Sequence, residues 1–155
     1  MMVNENQKPV EVLTPPLRHF TREAPVAADE LQGGHVPFGV YLAHLSRTLY
    51  AWFAELGVGP GRPIPGGPVV AHVELDYRGE TFSATTLRCV FSVLRVGRSS
   101  LEHRVEIFDV REPEAVKAVG RTVSVWRGAG GETAAWPAAV LEKCWPAERE
   151  TPAQV

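Results

Sequence analysis

Three residues that can transfer protons lie close together, directly before the longest apolar segment of the chain. Asp29 and Glu30 are carboxylates, and His35 follows the glycine pair 33–34. A carboxylate beside a carbonyl group can attack it or activate water, and histidine titrates near neutral pH, so both residue types serve in acyl-transfer chemistry. The same pattern is also typical of two solvated charges at a strand end and of a turn histidine that satisfies backbone groups.

The apolar segment that follows has the spacing of an α-helix from about Pro37 to Leu56. Pro37 suits the first turn because its missing N–H would have no partner there, and Gly57 is a stop signal. The predicted apolar stripe consists of Phe38, Leu42, Leu45, Leu49, Trp52 and Leu56, and the predicted polar edge of His44, Arg47, Thr48 and Glu55. Because the first N–H groups of a helix are unpaired, Phe38 and Gly39 are the first plausible donors to a developing oxyanion.

Five segments of the chain predict β-strands. Residues 17–31 alternate weakly and contain Pro25, which is typical of an edge strand. Four longer alternating segments follow at about residues 69–77, 83–96, 99–109 and 115–126, the last with Val119, Val123 and Val125 on one side. Short turns at Arg78-Gly79, Gly97-Arg98 and Arg111-Glu112-Pro113 join these four segments and predict an antiparallel meander.

One apolar face of this sheet must be buried against another element, and the long helix is the only long apolar segment that could pack on it. The predicted fold class is therefore α+β, a curved antiparallel sheet wrapped around one central helix. A second, short helix is predicted over residues 138–145. We expect a flexible N-terminal arm at 1–16, the folded domain at 17–127 and a Gly/Ala/Pro-rich C-terminal extension at 128–155.

Composition narrows the classes of partner. The formal net charge of −2 and the scattered arginines argue against a nucleic-acid partner. The charged residues within the long apolar helix argue against its spanning a membrane. Cys89 and Cys144 lack metal-ligand spacing, and no secretory signal stands at the start of the sequence. We expect a cytoplasmic protein with reduced thiols, no metal and no cofactor.

The turn and the order of elements resemble the hot-dog fold acyl-CoA thioesterase family of the 4-hydroxybenzoyl-CoA thioesterase type. The family turn reads roughly D-x-D-x-x-G-H-V-N-N-x-x-Y, and the matching residues here are Asp29, Gly34, His35, Val36 and Tyr41. The segment RVGRSS at 95–100 also resembles the family's R-x-G-R-S-S turn. The similarity covers about residues 17–127.

The resemblance implies an acyl thioester hydrolase acting on acyl-CoA or an acyl carrier protein, with the backbone amide of Phe38 as the oxyanion donor. The family's second aspartate falls on Leu31, which cannot accept a proton, so Asp29 and Glu30 remain the candidate carboxylates. His35 is a further catalytic candidate, as general base or as a group that orients the carbonyl. The predicted substrate-binding residues are Gly34, Gly39, Tyr41, Arg98, Ser99 and Ser100, the last three toward the phosphates or pantetheine of CoA.

Some of these binding candidates also have a purely structural explanation. Tyr41 could be core, and the turn at Arg98 could be only a tight hairpin. Two other functions remain open. The turn more weakly resembles hydroxyacyl carrier-protein dehydratases, with His35 as base and His44 where their helix acid stands; alternatively, loss of the acid at Leu31 would leave a non-catalytic acyl-binding protein. The family resemblance also implies a homodimer or a dimer of dimers.

Overall fold

The structure, a computed structural model, describes residues 17–145; the predicted arm at 1–16 and residues 146–155 lie outside this range. It contains one sheet and two α-helices. The strands are β1 (His19–Pro25), β2 (Gly67–Tyr77), β3 (Thr86–Val96), β4 (Ser100–Asp109) and β5 (Val116–Arg127), and the helices are α1 (Phe38–Glu55) and α2 (Ala138–Cys144). A short 3₁₀ turn, Ala28–Glu30, lies between β1 and α1. The predicted elements are present with bounds shifted by a few residues.

All strand pairs are antiparallel, but the order β1-β3-β4-β5-β2 is not the predicted meander. Only β3, β4 and β5 follow one another, while β2 pairs with β5 at the far edge. The connection 78–85 therefore crosses the end of the sheet to reach β3. The prediction of a tight turn at Arg78-Gly79 was wrong because strand order depends on contacts between distant residues, which alternation along the sequence does not record.

Helix α1 packs one side against the sheet. Its buried residues are Tyr41, His44, Leu45, Thr48, Leu49, Trp52 and Phe53. His44 and Thr48 are thus buried, contrary to their predicted place on a polar edge, and the Thr48 hydroxyl donates to the His44 carbonyl oxygen at 2.7 Å. Phe38 and Leu42 of the predicted stripe are exposed, at 71% and 43%. The apolar stripe is therefore wider than the face that the sheet covers.

The inner face of the sheet is apolar on β3 and on β4 apart from His103 and Asp109, whereas on β5 it carries both polar and apolar residues. Alternate residues of β3 and β4 are buried, among them Phe91, Leu101 and Ile107, as the alternation in the sequence predicts. On β5 the predicted face is reversed, because the partner of His103 is Thr122, so Thr122 and Ser124 face inward while Val119, Val123 and Val125 are only partly buried.

The C-terminal segment contributes to the same core. Trp136, Val140 and Cys144 are buried, and the Trp136 ring lies 5.0 Å from that of Trp126. Cys89 and Cys144 are buried free thiols whose pKa values burial raises to about 12. Between residues 17 and 145, no helix combines the length and the apolarity needed to cross a membrane.

His103 is a fully buried histidine between Trp52 and Phe91, at ring distances of 4.4 and 5.5 Å. Within residues 17–145 neither ring nitrogen has a hydrogen-bond partner. Burial lowers the pKa of His103 from 6.5 to about 3, so the ring is neutral at physiological pH.

Replacing His103 with leucine should remove part of the acid sensitivity of folding. Because the folded-state pKa of His103 is depressed, the unfolded chain binds a proton that the folded chain excludes, and this contribution to stability is lost as pH falls from 6.5 toward 3. Between pH 7 and pH 5, the free energy of unfolding of the wild type should fall by about 2 kcal/mol more than that of His103→Leu. Urea unfolding at each pH measures this difference.

Identical pH dependence in His103→Leu and the wild type would contradict the account of His103.

Candidate active site

The turn before α1 is built on two glycines in a conformation that other residues avoid. Gly33 and Gly34 have φ angles of 57° and 80°. They allow Gln32 and His35 to exchange backbone hydrogen bonds of 2.9 and 3.1 Å, which closes the turn. The Val36 N–H then donates to the Thr81 carbonyl oxygen at 2.9 Å, so the turn is tied to the crossing connection 78–85.

The start of α1 is open, in the sense that its first backbone N–H groups donate to no acceptor in the described chain. Pro37 is the N-cap residue and makes no side-chain cap, and the Val40 N–H donates back to the Pro37 carbonyl at 3.0 Å. Within residues 17–145, the amides of Phe38 and Gly39 have no acceptor, and no acidic residue lies in the first turn. Unpaired donors at the positive end of a helix dipole are suited to bind an oxyanion.

A cleft of about 320 Å³ lies at this end of the helix. It is lined by Gln32, His35, Val36, Pro37, Phe38, Tyr41, Tyr77, Gly79 and Glu80. The structure thus brings together three sequence candidates, His35, Phe38 and Tyr41. Gly34 and Gly39 flank them in the chain, and a Cβ placed on Gly39 would meet nothing within 4 Å.

Two tyrosines form one wall of the cleft. The Tyr41 hydroxyl donates to Thr81 Oγ1 at 2.6 Å, and the Tyr77 hydroxyl donates to the Phe38 carbonyl at 3.1 Å. Their ring centroids lie 5.6 Å apart. Burial raises the pKa of both hydroxyls, so they remain protonated donors. Tyr41 is therefore both core, at 2% exposure, and a lining residue of the cleft.

The carboxylates chosen from the sequence do not line this cleft, whereas another carboxylate does. The Glu30 side chain accepts the Ala27 N–H at 3.0 Å and thereby caps the 3₁₀ turn, and Asp29 is exposed on that turn. Glu80, from the crossing connection, lines the cleft. Sequence reasoning missed Glu80 because only the crossing of residues 78–85 places it beside the helix start.

The turn 97–100 lies at the other end of the sheet. The Ser99 carbonyl accepts the Trp136 indole N–H at 2.9 Å, and the Trp136 ring lies 6.3 Å from that of Phe53, in the last turns of α1. Arg98, Ser99 and Ser100 therefore sit near the end of α1, not its beginning. Within one chain they do not join the cleft.

The sequence profile of the thioesterase superfamily matches residues 33–116, from the glycine turn to the start of β5. The chain belongs to the thioesterase superfamily. The matched region contains the open helix start and Glu80. Membership of this superfamily supports acyl thioester hydrolysis as the general class of activity. No curated protein gives a significant match to the sequence.

Solved structures of other proteins share the fold of this chain. The PA2801 protein of Pseudomonas aeruginosa, described as a candidate thioesterase, is 25% identical with a TM-score of 0.70 over 76% of this chain and 92% of its own. The 1,4-dihydroxy-2-naphthoyl-CoA thioesterase Slr0204 of Synechocystis is 16% identical, with a TM-score of 0.70 over 85% and 99% of the two chains. SAV2348 of Staphylococcus aureus, solved in complex with CoA, is 9% identical, with a TM-score of 0.73 over 81% and 80%. The hot-dog α+β fold expected from the sequence is confirmed.

Proposed function

We propose that this thioesterase-superfamily protein hydrolyses acyl thioesters of CoA or of an acyl carrier protein. The observation that carries the proposal is the open helix start beside a cleft. In thioester hydrolysis the carbonyl oxygen gains negative charge as the carbonyl carbon is attacked. The amides of Phe38 and Gly39 are fixed donors that would stabilise this oxygen, whatever the side chain at residue 38.

In the proposed reaction a water molecule attacks the thioester carbon while a carboxylate accepts its proton. The carbonyl oxygen becomes an oxyanion at the α1 amides. The C–S bond then breaks, the acid product forms, and the leaving thiolate takes up the proton.

Glu80 is the first candidate for the carboxylate because it lines the cleft. Asp29 and Glu30, favoured by the sequence, remain proposals of lower rank, since Glu30 already accepts a backbone N–H and Asp29 is exposed outside the cleft lining. His35 lines the cleft and would orient the carbonyl or share the base role.

A homodimer is the proposed assembly, because an apolar surface runs along α1 and the edge strand β2. Val73 and Tyr77 pair with Thr122 and Ala118, on the side of the sheet that faces α1, and remain 39% and 45% exposed. On α1, Leu42 and Tyr50 are 43% and 62% exposed, and Tyr50 lines a cleft together with Gly67 and Pro68 of β2. A second copy that pairs antiparallel along β2 would cover both the apolar surface and the free strand edge.

Antiparallel pairing would also complete the substrate site. The Tyr77 end of β2, beside the cleft, would meet the Gly67 end of the partner's β2. A cleft of about 520 Å³ with Tyr50, Phe53 and Arg62 in its lining opens at that second end, and the turn 97–100 lies at the same end of the sheet. We therefore propose that Arg98, Ser99 and Ser100 contact the CoA phosphates or pantetheine from the partner's side. The CoA complex of SAV2348 supports CoA as the carrier. A dimer of dimers remains a proposal on the resemblance alone.

A second candidate function is non-catalytic acyl binding. Leu31, where the family keeps an aspartate, packs against the hydrophobic core and supplies no base. Tight acyl-CoA binding without product release over a broad panel of acyl groups would favour this function. Enoyl formation abolished by His35→Ala would instead favour the dehydratase alternative.

Replacing Glu80 with glutamine should lower the rate of thioester cleavage by about 100-fold or more, because general-base catalysis contributes about that factor. The measurement is steady-state release of free CoA thiol from a panel of acyl-CoA substrates. Asp29→Asn and Glu30→Gln are the matched variants, and the glutamine at position 30 keeps an oxygen for the cap. If Glu80→Gln keeps full activity and either Asp29→Asn or Glu30→Gln loses it, the residue changed in that variant is the general base. If all three variants keep full activity, none of these carboxylates is the base and the mechanism is wrong.

Replacing Leu42 with glutamate should separate the proposed dimer, because it buries a charge in the apolar surface between the two copies. Sedimentation should give a two-chain mass for the wild type and a one-chain mass for Leu42→Glu. Leu94→Glu, at a similarly exposed leucine on β3, should keep the two-chain mass. A one-chain mass for the wild type would contradict the proposal.

A further inference from the structure

A buried carboxylate holds the turn after β4. Asp109 is 2% exposed and accepts the Thr85 hydroxyl at 2.7 Å and the Arg111 backbone N–H at 3.0 Å. The Arg111 side chain donates to it through Nη2 at 2.8 Å and Nε at 3.1 Å. Burial alone would raise the pKa of Asp109, but the hydrogen bonds from Arg111 and Thr85 lower it to about 2, so the group stays ionised.

The guanidinium of Arg111 reaches beyond Asp109 to the crossing connection. Its Nη2 donates to the Phe82 carbonyl at 2.7 Å and its Nη1 lies 3.2 Å from the Ser83 hydroxyl oxygen. Ser83 has a φ angle of 60° and is the only non-glycine residue with positive φ within residues 17–145. Such a conformation costs about 1–3 kcal/mol and persists only where neighbouring contacts impose it. Arg111 therefore fixes the connection at its strained point.

The same part of the connection holds the turn before α1. The Ser83 N–H donates to the Gly34 carbonyl at 3.1 Å, and the Thr81 carbonyl accepts the Val36 N–H at 2.9 Å. The Thr81 hydroxyl accepts the Tyr41 hydroxyl at 2.6 Å, so the connection also contacts the first turns of the helix. A shift of residues 81–83 would displace the open amides.

We propose that Arg111, oriented by Asp109, is a positioning residue for the oxyanion site at the start of α1. It touches no reacting atom and acts through residues 81–83 on the glycine turn. Lysine cannot replace it fully, because one ammonium group lacks the planar fork that spans a carboxylate and a carbonyl. The effect on the glycine turn is independent of the proposed function, and only the effect on catalysis rests on it.

The test compares Arg111→Ala and Arg111→Lys with Arg88→Ala. Arg88 lies on β3 and pairs with Glu23 of β1 at 2.8 Å, so its removal breaks a partly exposed ion pair between these two strands. Two quantities are measured in the full chain: amide hydrogen exchange at Val36 and Ser83, and kcat and KM for thioester cleavage. Arg111→Lys keeps a charge beside Asp109 and carries the test if Arg111→Ala does not fold.

Both Arg111 variants should exchange faster at Val36 and Ser83 and should lose about 10- to 100-fold in kcat, the scale expected for a small displacement of catalytic groups. KM should change much less, the lysine variant should lie between alanine and the wild type, and Arg88→Ala should match the wild type. If the wild type cleaves no thioester but the Arg111 variants still exchange faster at Val36 and Ser83, the positioning role is supported and the proposed function is rejected. If the wild type cleaves thioesters and the Arg111 variants show unchanged exchange and unchanged kcat, the positioning role is overturned. Faster exchange spread equally over the whole chain would overturn it as well, because it would report a general loss of stability.

Discussion

The first amides of a helix have no partners within the helix, and the site depends on that constraint. Proline at the N-cap gives α1 no side-chain cap, and the first turn has no acid to neutralise the dipole. The amides of Phe38 and Gly39 can therefore remain free for substrate. The glycine turn before them brings the chain into the helix without covering those donors.

The connection between β2 and β3 gives the open helix start its surroundings. Because β2 pairs with β5 and β3 with β4, residues 78–85 must cross the end of the sheet beside α1. They supply Glu80 to the cleft, Thr81 to the turn and Ser83 to the contact with Arg111. One topological feature thus provides both a candidate base and the support of the oxyanion donors.

Local patterns in the sequence were sufficient for the helix and the strands, because apolar spacing and Gly/Pro signals act over a few residues, and the resemblance of the turn and element order to a known family implied the hot-dog fold. Long-range features were not predictable in the same way. The inward face of β5 depends on its register with His103, and the place of Glu80 depends on strand order. Glu30 looked catalytic because its capping role at the 3₁₀ turn is not visible in the sequence. The N-cap residue is Ala27, whereas serine or threonine there would have marked a capping box with Glu30.

The most direct measurement of the central claim is the structure of the protein with a non-hydrolysable acyl-CoA thioester analogue. The analogue's carbonyl oxygen should lie about 2.7–3.1 Å from the amide nitrogen of Phe38 or Gly39. The same complex should place Glu80 near the carbonyl carbon, within reach of one water molecule. A carbonyl bound away from the start of α1, with those amides still unpaired, would contradict the account.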